Sequence, residues 1–205
     1  MGILDVFKNK PYKIGIALSG GGIKGLCHAG VLKALEEQGI KPDIISGVSA
    51  GAVVGALYAD GYSPDEIARL FEDISFRQMT KFRIPDGGLF RIDAFENFIF
   101  KNMRAKTFEE LKIPLRIVAT NLDQGQSIVF SKGNLIDPIV ASCSVPVLFT
   151  PKKINGTYYV DGGVLKNFPV STIRDDCDKV IGINASPLVA DEYKLSLMNV
   201  ASRTY

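Results

Sequence analysis

Residues 13–39, KIGIALSGGGIKGLCHAGVLKALEEQG, decide the fold class. Lys13 to Ser19 is a short, mostly apolar run, which reads as a buried strand. Three glycines follow it at once. From Gly25 to Gln38 the apolar residues Leu26, Ala29, Val31, Leu32 and Leu35 recur at helical spacing, and Gly39 stands where a helix C-terminal cap belongs. The unit is strand, glycine loop, helix. It repeats immediately: Asp43 to Gly47 reads as a second strand, and Ala50 to Asp60 as an apolar helix closed by Gly61. Ser63-Pro64-Asp65-Glu66 has the form of a capping box with proline at the first helical position, opening a helix through Asp73.

Residues 76–92, with Pro85, Gly87 and Gly88, read as loop. Helices are predicted over Asp93–Asn102, Thr107–Leu111 and Asn134–Cys143, the last stopped by Pro146. Leu115–Leu122, Ser127–Phe130 and Lys179–Asn184 read as strands. Lys152–Ile154 and Thr157–Val160 flank Asn155-Gly156, a strong hairpin signal. Alternating strands and helices predict an α/β fold with a largely parallel, covered sheet and some antiparallel pairing.

The whole chain, 205 residues, suits one domain, with a core over about 13–184. A chain of this length buries about 70% of its unfolded surface and needs no staple. A hydrophobic fraction of 46% and a charged fraction of 22% argue against disorder, and a net charge of +2 argues against a nucleic-acid partner. Cys27, Cys143 and Cys177 form no CxxC pair and read as reduced thiols. His28 is the single histidine, which leaves a zinc site short of ligands. No apolar run approaches the length of a membrane span, and no signal-peptide pattern opens the chain. The expectation is a cytoplasmic protein.

The loop Ser19-Gly20-Gly21-Gly22-Ile23-Lys24-Gly25 admits three readings. Its Gly20-x-Gly22-x-x-Gly25 spacing matches a dinucleotide fingerprint, but that reading wants an acidic residue at the end of the second strand, where Ser46 and Gly47 stand; Asp43 lies at the strand's start. A dinucleotide-binding oxidoreductase is the alternative it leaves open. The second reading is a tight turn with no ligand. The third is an oxyanion hole, which needs a nucleophile nearby.

The second turn supplies one. Gly47-Val48-Ser49-Ala50-Gly51 is a GxSxG element between a strand and a helix, the setting in which a sharp turn exposes a serine hydroxyl. The base cannot be a histidine later in the chain, because none follows His28, which reads as an ordinary helix residue. Asp161, at the end of a predicted strand and followed by Gly162-Gly163, is the best carboxylate; the plainer alternative is a turn aspartate bonding its own backbone.

Together, Gly20-Gly21-Gly22-Ile23-Lys24-Gly25, Gly47-Val48-Ser49-Ala50-Gly51 and Asp161-Gly162-Gly163 resemble the patatin-like phospholipase family, especially its compact bacterial branch. Ala141-Ser142-Cys143-Ser144-Val145-Pro146 and Gly88-Leu89-Phe90-Arg91 add to the likeness, which runs from about Lys13 to Asn184. The resemblance implies a three-layer α/β/α sandwich and lipid acyl hydrolysis with no metal or cofactor. It implies Ser49 as nucleophile, Asp161 as general base, and the Gly21 and Gly22 N–H groups as oxyanion hole. An acyl transferase or thioesterase using the same dyad, and a catalytically idle interaction module, remain open. Two departures stand out. Ser19 precedes the glycines where the family often has Asp, and Lys24 replaces its usual Arg, keeping the charge but losing the planar fork. Family domains also often continue with more helix, so the expectation is a sandwich thin on its C-terminal side or a truncated form of the chain.

Eight phenylalanines between Phe71 and Phe108 are interleaved with Arg77, Lys81, Arg83, Arg91, Lys101, Arg104 and Lys106. They read either as a buried helix face with a solvated charged face, or as a lid contacting anionic membrane.

Overall fold

The computed structural model describes residues 9–72, 81–82 and 90–185. The strands among them are β1 (Tyr12–Leu18), β2 (Ile44–Val48), β3 (Lys81–Phe82), β4 (Phe90–Arg91), β5 (Leu115–Asn121), β6 (Gln126–Phe130), β7 (Lys152–Ile154), β8 (Thr157–Asp161) and β9 (Cys177–Ile183). The helices are α1 (Cys27–Glu37), α2 (Ala50–Ala59), α3 (Pro64–Glu72), α4 (Asp93–Asn102), α5 (Ile136–Ser142) and α6 (Gly163–Lys166). Short 3-10 turns cover Gly22–Leu26, Phe108–Glu110, Pro169–Thr172 and Arg174–Asp176.

The apolar runs behave as a covered parallel sheet requires. In β1, Ile16 and Leu18 enter the large core on one face, while Ala17 enters a small cluster with Ile44, Ile173 and Cys177 on the other. Residues Gly51 to Ala59 of α2 are all buried, so this helix is apolar all round and runs through the large core. Helix α1 is one-sided and buries Ala29 and Leu32. Gly39 takes φ +72° just past its end, a conformation that a side chain would strain. At α3 the capping box closes as expected: the Ser63 N–H donates to Glu66 Oε2 (2.7 Å), and the Glu66 N–H to Ser63 Oγ (3.3 Å). On the second face the 3-10 turn Pro169–Thr172 packs against β1 and β2, and Ile173 joins Ala17, Ile44 and Cys177 there.

The central sheet has seven strands. β9, β1, β2 and β5 lie parallel in that order, and β6, β7 and β8 add antiparallel pairs. The register on β5 sets up everything that follows. β6 covers one edge of β5 from Ile117 to Asn121. β2 therefore pairs along the other edge, up to Val48 opposite Val118, and β8 takes over that edge with Asp161 opposite Ala119. β2 runs parallel to β5 and β8 antiparallel, so their carboxyl ends meet head-on.

Several boundaries differ from expectation. The helix predicted from Gly25 opens as the 3-10 turn Gly22–Leu26. Thr107–Leu111 contains a 3-10 turn rather than an α-helix, because Lys106 and Glu110 close it locally (2.6 Å). Asp161 is the last residue of β8 rather than the residue after it. Within the stretch expected to be loop, Lys81 pairs with Arg91 and Phe82 with Phe90. Asp73, Pro85, Gly87, Gly88 and Leu89 lie outside the described residues. Of the phenylalanines, Phe108 is buried and Phe71, Phe95 and Phe98 pack against the core, whereas Phe100 is exposed under the Lys106 ammonium. The buried-face reading describes these best.

Candidate active site

β2 is buried along its whole length and ends at Val48. The next residue, Ser49, takes φ 51° and ψ −123°, outside the regions a non-glycine residue normally occupies. Such strain costs about 1–3 kcal/mol and persists only where surrounding structure enforces it. Here the enforcing contacts can be named. The Ser49 carbonyl accepts the Ala52 and Val53 N–H groups (2.9 and 3.2 Å), the first bonds of α2. The Ser49 N–H donates to Ser142 Oγ (2.8 Å), whose own proton goes to the Val118 carbonyl (2.7 Å). A Cβ on Gly47 would collide with the Gly51 carbonyl, and one on Gly51 with the Leu18 and Ser19 carbonyls. Only glycines let α2 turn back so tightly over β1 and β2.

Asp161 reaches the same point from the opposite direction. It is 2% exposed. Its Oδ1 accepts the Gly163 N–H (2.7 Å), and its N–H donates to the Ser144 carbonyl (2.9 Å). The Ser49 hydroxyl stands close enough to the carboxylate to favour its charged form. Burial pushes the Asp161 carboxyl up to about 6; the bonds from Ser49 and Gly163 pull the other way. The Cys143 thiol sits beside the Ser49 hydroxyl, and burial and the Asp161 charge both push its pKa up. Gly162 packs against the Val118 carbonyl and Val48. A Cβ on Gly163 would stand 2.9 Å from Asn167 Oδ1 and 3.0 Å from Asp161 Oδ1.

The glycine loop borders this pair. A Cβ on Gly20 would lie 3.4 Å from Ser49 Cβ and would strike the Asn167 amide. The Gly20 N–H donates to the Asn167 carbonyl (3.1 Å), and the Lys24 N–H to the Gly21 carbonyl (3.1 Å). Among the described residues no acceptor takes the Gly21 or Gly22 N–H. Gly22 has φ +53° with open space around it. Gly25 packs on Ala50, the first residue of α2, and Lys24 is exposed.

Two residues outside the predicted set hold this loop. The Ser19 hydroxyl donates to the Gly20 carbonyl (2.7 Å) and accepts the Ala185 N–H (2.8 Å), tying the loop to the chain just after β9. His28 Nε2 lies 2.8 Å from the Ser19 carbonyl, an acceptor, so that nitrogen carries the proton. Its Nδ1 is buried without a partner among the described residues, and burial holds the imidazole below its ordinary pKa. His28 is thus a neutral prop under the loop.

The structure therefore brings Ser49, Asp161 and the Gly20–Gly22 loop together. Asp43 does not join them: its Oδ2 accepts the Lys13 and Ile14 N–H groups (2.9 and 2.8 Å) at the start of β1, the opposite end of the sheet from the glycine loop. β2 itself carries no acidic residue at its end, where the dinucleotide fingerprint wants one. Among the described residues, no group of three or more His, Cys, Asp or Glu side chains could hold a metal ion, and no helix is long and apolar enough to cross a membrane. Sequence reasoning missed Ser142, Cys143, Ser144 and Asn167 as contributors. The Ala141–Pro146 segment was visible as a motif, but its contacts depend on strand pairing, and no motif marked Asn167.

A glycine-flanked serine on a strained strand-to-helix turn, meeting a buried carboxylate in a mixed α/β sheet, defines the class of α/β proteins with a serine elbow. Residues 16–173 match the model of the patatin-like phospholipase family, and the chain belongs to that family. It is 33% identical to the protein YqhO of Bacillus subtilis, over 88% of this chain and 74% of that protein. An uncharacterised protein of Acanthamoeba polyphaga mimivirus is also 33% identical, over 82% of this chain and 64% of that protein. The lysophospholipase NTE1 of Saccharomyces cerevisiae is 34% identical over 78% of this chain and 10% of that much longer protein. The chain spans between about half and two thirds of the first curated relatives it matches. In fold it is similar to VipD from Legionella pneumophila, with a TM-score of 0.63 at 18% identity, over 81% of this chain and 49% of that one.

Proposed function

We propose that the protein is a serine acyl hydrolase that cleaves carboxylic esters of phospholipids or lysophospholipids through a Ser49–Asp161 dyad. The observation that carries this reading is the Ser49 hydroxyl at the buried Asp161 carboxylate, where β2 and β8 meet end to end. Ser49 attacks the ester carbonyl while Asp161 takes its proton. An aspartate cannot hold a preformed alkoxide, so proton transfer and attack are concerted. An upward-shifted carboxyl is a better base for this step than a solvated one. The Gly21 and Gly22 N–H groups, which no acceptor among the described residues takes, receive the oxyanion; one such donor is worth about 3–4 kcal/mol. The leaving alcohol takes the proton from Asp161. Water then attacks the acyl-serine with Asp161 again as base.

Apolar side chains around the site support a lipid substrate. Ile23 on the glycine loop is 92% exposed, and Val147, Val164 and Leu165, from the segments after α5 and Asp161, are also exposed. Lys24 follows Ile23 in the chain and Lys166 follows Leu165, a combination suited to peripheral contact with an anionic membrane. The name lysophospholipase carried by the yeast relative points the same way.

The test is a fluorophosphonate probe read by intact mass on the parent and on Ser49→Ala, followed by a lysophospholipid hydrolysis assay. One adduct on the parent alone, with fatty acid release lost in the variant, is expected. An adduct on both proteins, or hydrolysis by Ser49→Ala, would overturn the assignment.

A further inference from the structure

Serine and aspartate come from strands of opposite direction, separated by more than half the chain. Both strands pair with β5, and one further turn reaches the two residues directly. Residues 142–144 end α5 and touch both. Ser142 Oγ accepts the Ser49 N–H at 2.8 Å, and the Ser144 carbonyl accepts the Asp161 N–H at 2.9 Å. Between them, the Cys143 thiol lies against the Ser49 hydroxyl. We propose that this turn is the brace of the site, with Ser142 as a positioning residue whose hydroxyl holds the strained elbow of Ser49 in register with Asp161.

The hydrogen-bond inventory makes the role specific. A serine hydroxyl has one proton, and that of Ser142 is committed to the Val118 carbonyl at 2.7 Å. Its lone pair is therefore free to accept the Ser49 N–H. That N–H has no other natural partner. β2 has already left the ladder at Val48, and the first N–H groups of a helix point away from any helical acceptor. Ser142 is 0% exposed, so water cannot substitute readily for its hydroxyl. Losing the acceptor leaves a buried donor unpaired next to the most strained residue of the site, and the easiest relief is rotation of the Val48–Ser49 peptide. That rotation would swing Ser49 Oγ away from Asp161. A displacement near 1 Å costs on the order of 100-fold in rate.

The inference rests on Ser49 being the nucleophile, so the experiment separates the two. Ser142→Ala is compared with the parent and with Ser46→Ala, which deletes another fully buried hydroxyl, bonded to Thr172 Oγ1 at 2.7 Å. Three readouts are taken: ester kcat and KM, the rate of fluorophosphonate labelling, and hydrogen exchange at the Ser49 amide. The expected result for Ser142→Ala is a loss in kcat of roughly 10- to 100-fold with KM little changed, parallel slowing of labelling, and faster Ser49 amide exchange. Ser46→Ala should lose stability only. If Ser142→Ala does not fold, Ser142→Cys, whose sulfur is a weaker acceptor, should show the same changes at smaller amplitude. Unchanged kcat in the Ser142 variant, or unchanged Ser49 amide exchange, overturns the brace. A parent that takes no probe and cleaves no ester refutes the catalytic reading, and the amide exchange then still decides whether Ser142 holds the elbow.

Discussion

Ser49 and Asp161 arrive at one point by opposite means. Ser49 leaves its strand through a left-handed turn at φ 51°, held by glycines on both sides and by a hydroxyl from a distant helix. Asp161 stays inside its strand, with ordinary backbone, placed by the register that sets it opposite Ala119. The cost falls in different places. For the serine it is conformational and local. For the aspartate it is electrostatic: a carboxyl at 2% exposure, with its pKa raised to about 6. The two costs suit the proposed roles: a nucleophile must project, which strains it, and a base must be poised, which burial achieves.

That contrast can be attacked from both sides. The largest effect on turnover is expected from Ser49→Gly, which removes the hydroxyl and should abolish hydrolysis. Glycine adopts φ above zero freely, whereas alanine does not. Ser49→Gly should therefore be more stable than Ser49→Ala by about 1 kcal/mol, the reverse of the usual order. Equal stabilities by urea denaturation would show that the elbow is not strained. Next is Asp161→Asn, expected to reduce kcat by at least about 1,000-fold while raising stability at neutral pH. The folded carboxyl titrates near 6 and the unfolded one near 3.8, so below pH 3.8 both states hold the proton and burial carries no penalty. As the pH rises through this window, the folded state must give up a proton it retains more tightly, and stability falls until about pH 6. The asparagine variant escapes that loss, about 3 kcal/mol at pH 7 and none at pH 3. A variant less stable than the parent at pH 7 would break the electrostatic half of the comparison. The smallest effect is in the parent: kcat/KM should fall about tenfold per unit below pH 6 and level off above it. A plateau extending down to pH 4.5 would place the base elsewhere.

Local physics made much of the fold legible. Asp93–Asn102 is helical over its whole expected span, and Asn155-Gly156 joins β7 to β8 with both residues at positive φ. The capping box at Ser63 and Glu66 closes as its spacing predicts. These features depend on neighbours within a few residues. The family itself was legible from three glycine motifs. What escaped the sequence is non-local. Nothing around Ser142 says that its hydroxyl spans from Val118 to Ser49, because that bond exists only once β2 and β5 pair. The 3-10 turns after Asp161 are too short to show a period. Nor does composition distinguish Phe95, Phe98 and Phe108, which pack inward, from Phe100, which does not. Among the exposed apolar side chains near Ser49 and Asp161, Ile23, Val164 and Leu165 lie in segments singled out for their glycines.

The head-on meeting of β2 and β8 also has a consequence in time. A polypeptide emerges from its amino end, so the first glycine loop and the serine elbow are made early. Asp161 follows only after 111 further residues. β9, which docks beside β1, comes later still. A growing chain therefore carries its serine well before it carries the carboxylate, and the long-range pairing that joins them is among the slowest steps of folding. In the proposed mechanism, a chain released before Asp161 is made has the hydroxyl but not its base.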